Sequence, residues 1–468
     1  MTSHHFHRSI LREYDVRGIV GETLFEADAE WIGRAYGTIL VRELGRTPVI
    51  AMGRDGRLSS PQMAAALLRG LTSTGARVLD VGCGPTPMTY FSVYHLKTDG
   101  GIMVTGSHNP PTHNGFKMMI GRKPFYGAAI QKLATLAANG DVATGKGAHE
   151  NVPVLTDYVD RLAMELADID LSGLAIGWDA GNGAAGDAMA LLTRKLPGRH
   201  VLLHEKIDGA FPAHHPDPTE PKNLVDLQKA VAQHKLDLGV AFDGDGDRIG
   251  AIDARGRILW GDQMLAVLAR DVLKDKPGST IIADVKASQV LFDEVARLGG
   301  RPLMWKTGHS LIKVKMAETA SPLAGEMSGH IFFADRYYGF DDALYAAVRL
   351  LKAVVRHGGD LAALRDQLPT LVNTPELRFD CADDRKFAVV NQVRDRLKGE
   401  AAQFDDVDGV RVNTQDGWWL LRASNTQAVL VARAEARDEA GLERLKSSLC
   451  RYLESSGVIV PMEMQRAG

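Results

Sequence analysis

Two short polar loops carry the residue types with which this chain could do chemistry. Residues 105–110 read Thr-Gly-Ser-His-Asn-Pro and offer a hydroxyl nucleophile, Ser107. Residues 243–248 read Asp-Gly-Asp-Gly-Asp-Arg and bring three carboxylates within five positions. Carboxylates so close together repel one another unless solvent or a cation separates them, and Mg²⁺ prefers such hard oxygen ligands. A serine hydroxyl beside a magnesium site predicts phosphoryl transfer.

The acidic loop (residues 243–248) has three competing interpretations. A calcium-binding EF-hand is excluded, because its sixth and twelfth positions would be Arg248 and Ala254 instead of Gly and Glu. An aspartyl-phosphate enzyme stays open, since Asp243 directly follows an apolar run and could itself be the nucleophile. A solvated acidic turn is the third, and Arg248, placed to contact an anion, favours a functional site over it.

Further basic and polar groups have the chemistry to bind phosphate. His108 and Lys117 accompany the serine loop (residues 105–110) and could move protons or bind an anion. Arg-Ala-Ser-Asn-Thr at residues 422–426, the C-terminal loop, combines a guanidinium with several donors, although an ordinary hairpin turn would also explain it. Lys286 and His309 are basic groups at predicted sheet edges. The sequence contains no Gly-x₄-Gly-Lys-Ser/Thr motif, which disfavours an ATP-dependent kinase.

The elements that must position these groups follow a repeated order. Each loop comes after an apolar run that predicts a buried strand, and α/β proteins place their chemistry at the carboxyl edge of the sheet. Three segments share the order strand, helix, strand, strand with a Gly-rich loop, and strand. Their first strands are predicted at 49–55, 174–179 and 280–286, their helices at 61–73, 184–195 and 288–298, and their second strands at 76–80, 200–204 and 301–305.

This alternation predicts three topologically similar α/β domains, with three unrelated α/β domains as the alternative. The last hundred or so residues differ, because antiparallel strands at 407–413, 417–422 and 428–433 accompany two helices and predict a small α+β domain. We therefore expect four domains, of which the three similar ones face a single cleft. Their predicted limits are 1–154 with the serine loop, 155–256 with the acidic loop, 257–369 with a loop at 325–330, and 370–468 with the C-terminal loop.

The amino-acid composition limits the kinds of partner and the cellular location that we expect for this protein. The 468 residues are 45% hydrophobic and 24% charged, as in ordinary globular proteins. With 55 Lys and Arg against 58 Asp and Glu, the net charge of −3 favours neither nucleic acid nor a membrane surface. No apolar stretch approaches the ~20 residues that span a bilayer. Three cysteines without paired spacing predict a reducing, cytoplasmic location.

Together the loops resemble the α-D-phosphohexomutase family, most of all its bacterial phosphomannomutase/phosphoglucomutase branch. The likeness includes Gly-Glu-Met-Ser-Gly-His at 325–330, the glutamate loop, and runs from Tyr-Asp-Val-Arg-Gly at 14–18 through Gly-Arg-Asp-Gly-Arg at 53–57 to the last domain. The resemblance implies interconversion of hexose 1-phosphate and hexose 6-phosphate, of mannose, glucose or both. It also implies that all four domains surround a central cleft. Further implications are a phosphoserine, a hexose 1,6-bisphosphate intermediate that serves as activator, and a monomer.

The resemblance also implies roles for individual residues of this sequence, matched position by position to the motifs of the family. Ser107 would be the phosphoserine and, with Asp243, Asp245 and Asp247, a ligand of Mg²⁺. Arg248 would lie beside the phosphoryl group, and Lys117 would be the general base assisted by His108. The implied substrate contacts are Glu326 and Ser328 for the sugar, and Tyr14, Arg17, Lys286, His309, Arg422, Ser424, Asn425 and Thr426 for the distal phosphate. Gln427 departs from the acidic or small residue of many relatives.

Rival functions remain at this point. A metal-dependent sugar-phosphate phosphatase would use Asp243 as nucleophile. A phosphoglucosamine mutase is a second rival, although Glu-Met-Ser at 326–328 resembles the mannose/glucose branch more. A non-catalytic sugar-phosphate-binding protein would tolerate loss of the serine or an aspartate, and here all of them are present.

Overall fold

The computed structural model describes residues 3–461, so the predicted outer limits at residues 1 and 468 lie outside the described residues. These residues form four sheets, which follow one another along the described part of the chain. Within residues 3–461, no helix combines the length and apolarity that crossing a bilayer requires. The described residues also include three short 3₁₀ helices, at Arg8–Ile10, Met164–Leu166 and Pro221–Leu224.

Sheet I has the strand order β1-β5-β4-β2-β3-β7, with β6 paired to β5. Its strands are β1 (Val16–Ile19), β2 (Val49–Arg54), β3 (Arg77–Cys83), β4 (Gly100–Val104), β5 (His113–Ile120), β6 (Lys123–Pro124) and β7 (Ala148–Asn151). Its helices are α1 (Glu26–Leu44), α2 (Ser60–Thr72), α3 (Thr86–His95) and α4 (Ala128–Asn139). Since β2 and β4 are parallel neighbours, the loops that follow them meet at one sheet edge.

Sheet II has the order β12-β11-β10-β8-β9. Its strands are β8 (Ala175–Asp179), β9 (Arg199–Leu203), β10 (Leu238–Phe242), β11 (Ile249–Asp253) and β12 (Ile258–Leu259), and its helices are α5 (Leu155–Ala163), α6 (Gly186–Lys195) and α7 (Val225–His234). Because β12 pairs with β11, this sheet extends past the predicted domain limit at residue 256.

Sheet III has the order β14-β13-β15-β16. Its strands are β13 (Thr280–Asp284), β14 (Arg301–Trp305), β15 (Leu323–Gly325) and β16 (Ile331–Phe333). The helices of this region are α8 (Gly261–Asp275), α9 (Gln289–Arg297), α10 (His309–Thr319), α11 (Ala343–Arg356) and α12 (Leu361–Asp366).

The predicted internal repeat is confirmed by strand order. The orders β3-β2-β4-β5, β9-β8-β10-β11 and β14-β13-β15-β16 are the same topology, with the first three strands parallel and the fourth antiparallel. The serine, acidic and glutamate loops each connect the third strand of a unit to its fourth. They therefore occupy equivalent positions in three similar domains.

Sheet IV is antiparallel and confirms the predicted α+β domain. Its strands are β17 (Val372–Asn373), β18 (Leu377–Asp380), β19 (Phe404–Asp405), β20 (Val410–Asn413), β21 (Gly417–Ala423) and β22 (Val429–Ala436), and its helices are α13 (Lys386–Gly399) and α14 (Glu439–Ser455). Trp419, Leu421 and Leu449 belong to a hydrophobic core of its own.

The largest hydrophobic core crosses between the first three domains. Phe91 of α3, Tyr158 of α5 and Tyr345 of α11 all belong to it. Burial of apolar surface contributes about 25 cal/mol per Å², so a shared core holds these domains together. The C-terminal domain joins them through a smaller contact, where Trp418 and Leu420 pack with Val285.

Candidate active site

Ser107 lies at the point where the serine and acidic loops meet. Its side chain is buried, and its Oγ donates a hydrogen bond to Asp243 Oδ2 at 2.9 Å. The same Oγ lies 3.2 Å from His108 Nδ1. The backbone of Ser107 has φ +50°, a left-handed conformation that is uncommon for residues other than glycine. The structure thus brings together the hydroxyl and the acidic cluster that the sequence predicted to cooperate.

Arg57 holds the serine loop in this conformation. Its buried guanidinium donates to four carbonyl oxygens of the loop and its end, those of Ser107, Asn109 and Pro110 at 2.6 Å and of His113 at 3.0 Å. The Asp55 carboxylate accepts a hydrogen bond from the Gly106 amide at 3.1 Å. Neither Asp55 nor Arg57 was predicted to have a role from the sequence. The feature of the sequence that could have pointed to them is a pair of charged residues, Asp55 and Arg57, close after an apolar strand.

The acidic loop buries all three aspartates completely, and one oxygen of each lies within 4.8 Å of the others. Asp243 Oδ1 accepts the backbone amides of Asp247 and Arg248 at 3.0 and 3.1 Å. Among residues 3–461, Oδ1 of Asp245 and Oδ1 of Asp247 are buried without a hydrogen-bond partner. Buried carboxylate oxygens that lack donors fit a cation. The cluster could therefore bind a metal ion.

Lys117 on β5 partly neutralises this cluster. Its buried Nζ donates to Asp245 Oδ2 at 2.8 Å and also contacts Asp247 Oδ2. Burial disfavours the ammonium, but the charges of Asp245 and Asp247 outweigh it and raise the pKa of Lys117 well above its usual value. Lys117 is therefore an ammonium ion in this arrangement.

The pKa values of Asp243 and Asp245 are shifted in opposite directions. Burial, followed by the like charges of Asp245 and Asp247, raises the pKa of Asp243 well above its ordinary value. Burial acts in the same direction on Asp245, but the Lys117 ammonium outweighs it and lowers the pKa of Asp245. Thr86 also donates to Asp245 Oδ2 at 2.5 Å, a contact that sequence analysis missed.

His108 and Arg248 connect the acidic loop to its surroundings. Burial, helped by the cations Arg248 and Arg17, lowers the pKa of His108 well below its ordinary value, so its imidazole is neutral at pH 7. The Arg248 Nε donates to His330 Nε2 at 3.0 Å, and His330 Nδ1 lies 3.0 Å from Asp341 Oδ2. His330 and Asp341 thus join the site, although sequence analysis gave them no role.

The glutamate loop faces the start of α10. The buried Glu326 Oε1 accepts the Gly308 amide at 2.6 Å, and Ser328 is half-buried in the same loop. His309 begins α10 and stacks on His330, with ring centroids 5.5 Å apart. Burial lowers the pKa of His309 well below its ordinary value.

The C-terminal loop reaches residues far away in the chain. The Asn425 side-chain amide donates to the Tyr14 hydroxyl at 2.6 Å, which in turn donates to the Thr307 carbonyl at 2.9 Å. Arg422 Nε donates to Asp408 Oδ2 at 2.9 Å, and the same oxygen accepts the Thr307 amide at 3.0 Å. These bonds bring the first, third and fourth sheets' loops together.

The remaining predicted residues lie around this junction. Ser424 Oγ accepts the backbone amides of Thr426 at 3.3 Å and Gln427 at 3.2 Å, so this hydroxyl shapes its own turn. Arg17 Nη1 donates to Asn109 Oδ1 of the serine loop at 2.8 Å. Lys286 is instead paired with Glu376, 3.0 Å away.

Comparison with known proteins gives a match along the chain. Models of the phosphoglucomutase/phosphomannomutase alpha/beta/alpha domains I, II and III match residues 8–142, 156–256 and 260–372, and the C-terminal domain of the same family matches residues 376–451. A phosphomannomutase/phosphoglucomutase of Pseudomonas aeruginosa is 43% identical over 456 residues, which cover 97% of each protein.

Two further relatives agree. A phosphoglucomutase of Neisseria gonorrhoeae is 40% identical, over 96% of this chain and 97% of its own length. The crystal structure of a phosphoglucomutase/phosphomannomutase family protein from Burkholderia thailandensis superimposes with a TM-score of 0.90. It is 42% identical and covers 97% of this chain and 98% of that one.

Proposed function

This chain belongs to the phosphoglucomutase/phosphomannomutase family, and we propose that Ser107 carries the phosphoryl group in its reaction, the interconversion of hexose 1-phosphates and hexose 6-phosphates. Mannose and glucose phosphates are the proposed substrates. The observation that supports this role most directly is the hydrogen bond from Ser107 Oγ to Asp243 Oδ2, inside a buried acidic cluster.

In the proposed transfer one proton moves between the sugar and Ser107, and none is gained or lost overall. The bond between phosphorus and Ser107 Oγ breaks while a bond to the free sugar hydroxyl forms, giving a hexose 1,6-bisphosphate. The proton of that hydroxyl passes through a base to Ser107 Oγ. The bisphosphate then reorients within the site, and the same steps run in reverse with its other phosphate. Added hexose 1,6-bisphosphate would activate the enzyme because it phosphorylates Ser107 directly.

Asp243, Asp245 and Asp247 would hold Mg²⁺, with phosphorylated Ser107 as a further ligand. The two buried carboxylate oxygens without hydrogen-bond partners among the described residues support this assignment. When bound there, Mg²⁺ would neutralise negative charge on the phosphoryl group. Arg248 would contact the phosphoryl oxygens through a charge-assisted hydrogen bond, since its guanidinium extends from the end of the same loop.

Lys117 is the proposed general base, with His108 assisting. As an ammonium ion bound to two aspartates, Lys117 must first leave this ion pair and lose its proton. The neutral imidazole of His108, 3.2 Å from Ser107 Oγ, can accept a proton without such a rearrangement. The two residues therefore have separate contributions that kinetics can distinguish.

The substrate's sugar and distal phosphate would lie between the glutamate and C-terminal loops. Glu326 and Ser328 would contact the sugar hydroxyls. The proposed phosphate contacts are Tyr14, Arg17, Lys286, His309, Arg422, Ser424, Asn425 and Thr426. The hydrogen bond between Asn425 and Tyr14 supports this, because it brings two of these groups together from opposite ends of the chain.

We also propose a cytoplasmic, monomeric enzyme. The three cysteines, all among the described residues, form no disulfide, as is usual for proteins of a reducing compartment.

Chemical stability of the phosphorylated protein tests Ser107 against Asp243 as the nucleophile. After incubation with glucose 1,6-bisphosphate labelled in its phosphates, we expect label that survives acid and hydroxylamine and is absent from Ser107→Ala. Label removed by hydroxylamine would indicate an acyl phosphate on Asp243 and a phosphatase-like mechanism. Rates on mannose 1-phosphate and glucose 1-phosphate, each with a trace of its 1,6-bisphosphate, give the sugar preference.

A further inference from the structure

A second cluster of metal-ligating side chains lies at the edge of sheet II. Asp179 ends β8, His204 directly follows β9, and His214 belongs to the long segment between β9 and α7. Asp226 lies in the first turn of α7. None of these residues belongs to the serine, acidic, glutamate or C-terminal loop. The mechanism above uses none of them.

Three of these side chains are close enough to share one metal ion, and Asp226 lies next to one of them, His204. One atom each of Asp179, His204 and His214 lies within 4.8 Å of the others. Asp179 Oδ2 is 3.0 Å from His214 Nε2, and Asp226 Oδ2 is 3.5 Å from His204 Nε2. A tetrahedral zinc ion with bonds of about 2.0–2.2 Å separates its ligand atoms by about 3.3–3.6 Å. The observed pairs lie close to this range.

His204 has two features that its surroundings do not explain. Its Nε2 is buried and has no hydrogen-bond partner among the residues that the structure describes. Its backbone has φ +50°, which is unfavourable for a residue other than glycine. This conformation turns the chain out of β9 and brings the imidazole edge-on to His214, with ring centroids 5.2 Å apart. A metal ligand would use the orphaned nitrogen.

His214 is oriented as metal-binding histidines are. Its Nδ1 lies 3.0 Å from the His215 carbonyl oxygen, an arrangement in which the N–H donates to the backbone and leaves Nε2 for a metal. Nε2 faces the completely buried carboxylate of Asp179. The other oxygen of Asp179 accepts the Gly181 amide at 2.8 Å, which fixes the carboxylate in place.

We propose that Asp179, His204, His214 and Asp226 bind Zn²⁺ and that this ion fastens the segment 204–216 to sheet II. Two imidazoles with two carboxylates suit zinc, and a full set of four protein ligands is typical of a structural site. The ion would have no direct part in phosphoryl transfer.

The fastened segment supports both catalytic loops. Phe211 lies under the guanidinium of Arg57, 5.2 Å from it, and Arg57 holds the serine loop. The Pro216 carbonyl accepts the amide of Gly244 in the acidic loop at 3.1 Å. Zinc would therefore stabilise the frame on which Ser107 and the acidic cluster meet.

Cobalt and zinc binding to the full chain test the site. After removal of metals by a chelator, one equivalent of Co²⁺ should give the visible absorption of a tetrahedral ion, and Zn²⁺ should displace it. His204→Asn should abolish this absorption, because asparagine keeps the left-handed backbone but lacks an imidazole. His234→Asn removes an exposed histidine of the same domain and should bind like the parent.

Asp245→Asn distinguishes Co²⁺ bound at the proposed zinc site from Co²⁺ bound at the acidic cluster of the active site. This variant should retain the cobalt absorption. Zn²⁺ should raise the Tm of the parent and of His234→Asn but not of His204→Asn. If His204→Asn fails to fold, Asp226→Asn, a change at a partly exposed residue, should weaken Zn²⁺ binding at least tenfold. Equal Zn²⁺ binding by the parent and these variants, or Co²⁺ uptake that Asp245→Asn abolishes, would overturn the proposal.

Discussion

The ammonium of Lys117 lies 2.8 Å from Asp245 Oδ2 and also contacts Asp247. A lysine of sheet I therefore forms an ion pair with two carboxylates of the loop that follows β10 in sheet II. These are the carboxylates proposed to hold Mg²⁺. A divalent ion and the ammonium therefore compete for the same negative charge, and each proposed role of Lys117 depends on this competition.

Lys117→Met should raise the affinity for Mg²⁺ at least tenfold and abolish mutase activity. The ion would no longer displace a cation within 3 Å of its ligands, while the proposed base would be lost. Calorimetric titration of metal-free protein measures the affinity. Lys123→Met, at an exposed lysine nearby, should change neither quantity. Weaker Mg²⁺ binding by Lys117→Met would contradict the competition.

Asp245→Asn should weaken Mg²⁺ binding at least tenfold and lower kcat by orders of magnitude, since one of three anionic ligands becomes neutral. Calorimetry and steady-state assays over a range of Mg²⁺ concentrations measure both effects. Asp187→Asn, at an exposed aspartate of α6, is the matched control. An unchanged Mg²⁺ affinity would show that the cluster does not hold the ion.

Arg57→Lys should lower kcat about 10- to 100-fold and leave KM nearly unchanged. A lysine cannot make the forked contacts by which Arg57 binds four carbonyl oxygens, and Ser107 would shift relative to the acidic loop. Steady-state kinetics give the two constants separately. Arg54→Lys, at the end of β2, should retain activity. A rise in KM alone would mean that Arg57 acts on substrate binding instead.

Arg422→Ala should raise KM for the sugar phosphate and increase release of the bisphosphate intermediate. A charge-assisted contact to phosphate contributes about 1.5–3 kcal/mol, and we expect this one also to draw the C-terminal domain toward the other three. Product analysis by phosphorus NMR detects the released bisphosphate. Arg437→Ala, at an exposed arginine, should behave like the parent. If KM and release both stay at parental values, residues 422–426 are only a turn.

Asp284→Asn should raise Tm above about pH 7 and lose this advantage near pH 4. Burial raises the pKa of Asp284 to about 7, against about 3.9 in an unfolded chain. Folded Asp284 stays protonated up to about pH 7, whereas the unfolded chain loses this proton above about pH 4. Stability therefore falls as pH rises from about 4 to about 7, and the whole loss is present above pH 7. Melting curves across this range give the difference, which Asp293→Asn, an exposed change, should not show.

The sequence predicted the parts of this protein that depend on local patterns. The strand at 301–305 has its predicted bounds, and the strands predicted at 49–55 and 174–179 each differ by one residue, because a short apolar run between turn residues is a local signal. The repeat was visible for the same reason, and it implied that the serine and acidic loops occupy equivalent sheet edges. Domain limits and residue roles stay predictions.

Only the tertiary structure decided which side chains meet. The bonds of Arg57 to the serine loop, of Asn425 to Tyr14 and of Lys117 to Asp245 join residues 50 to 411 positions apart. No local pattern encodes them, since they depend on how sheets twist and how domains pack on a shared core. The same holds for His204, whose orphaned nitrogen and left-handed backbone have meaning only beside Asp179 and His214. Charge pairing at a buried junction is a property of the assembled chain, because burial, which makes an unpaired charge costly, exists only after folding.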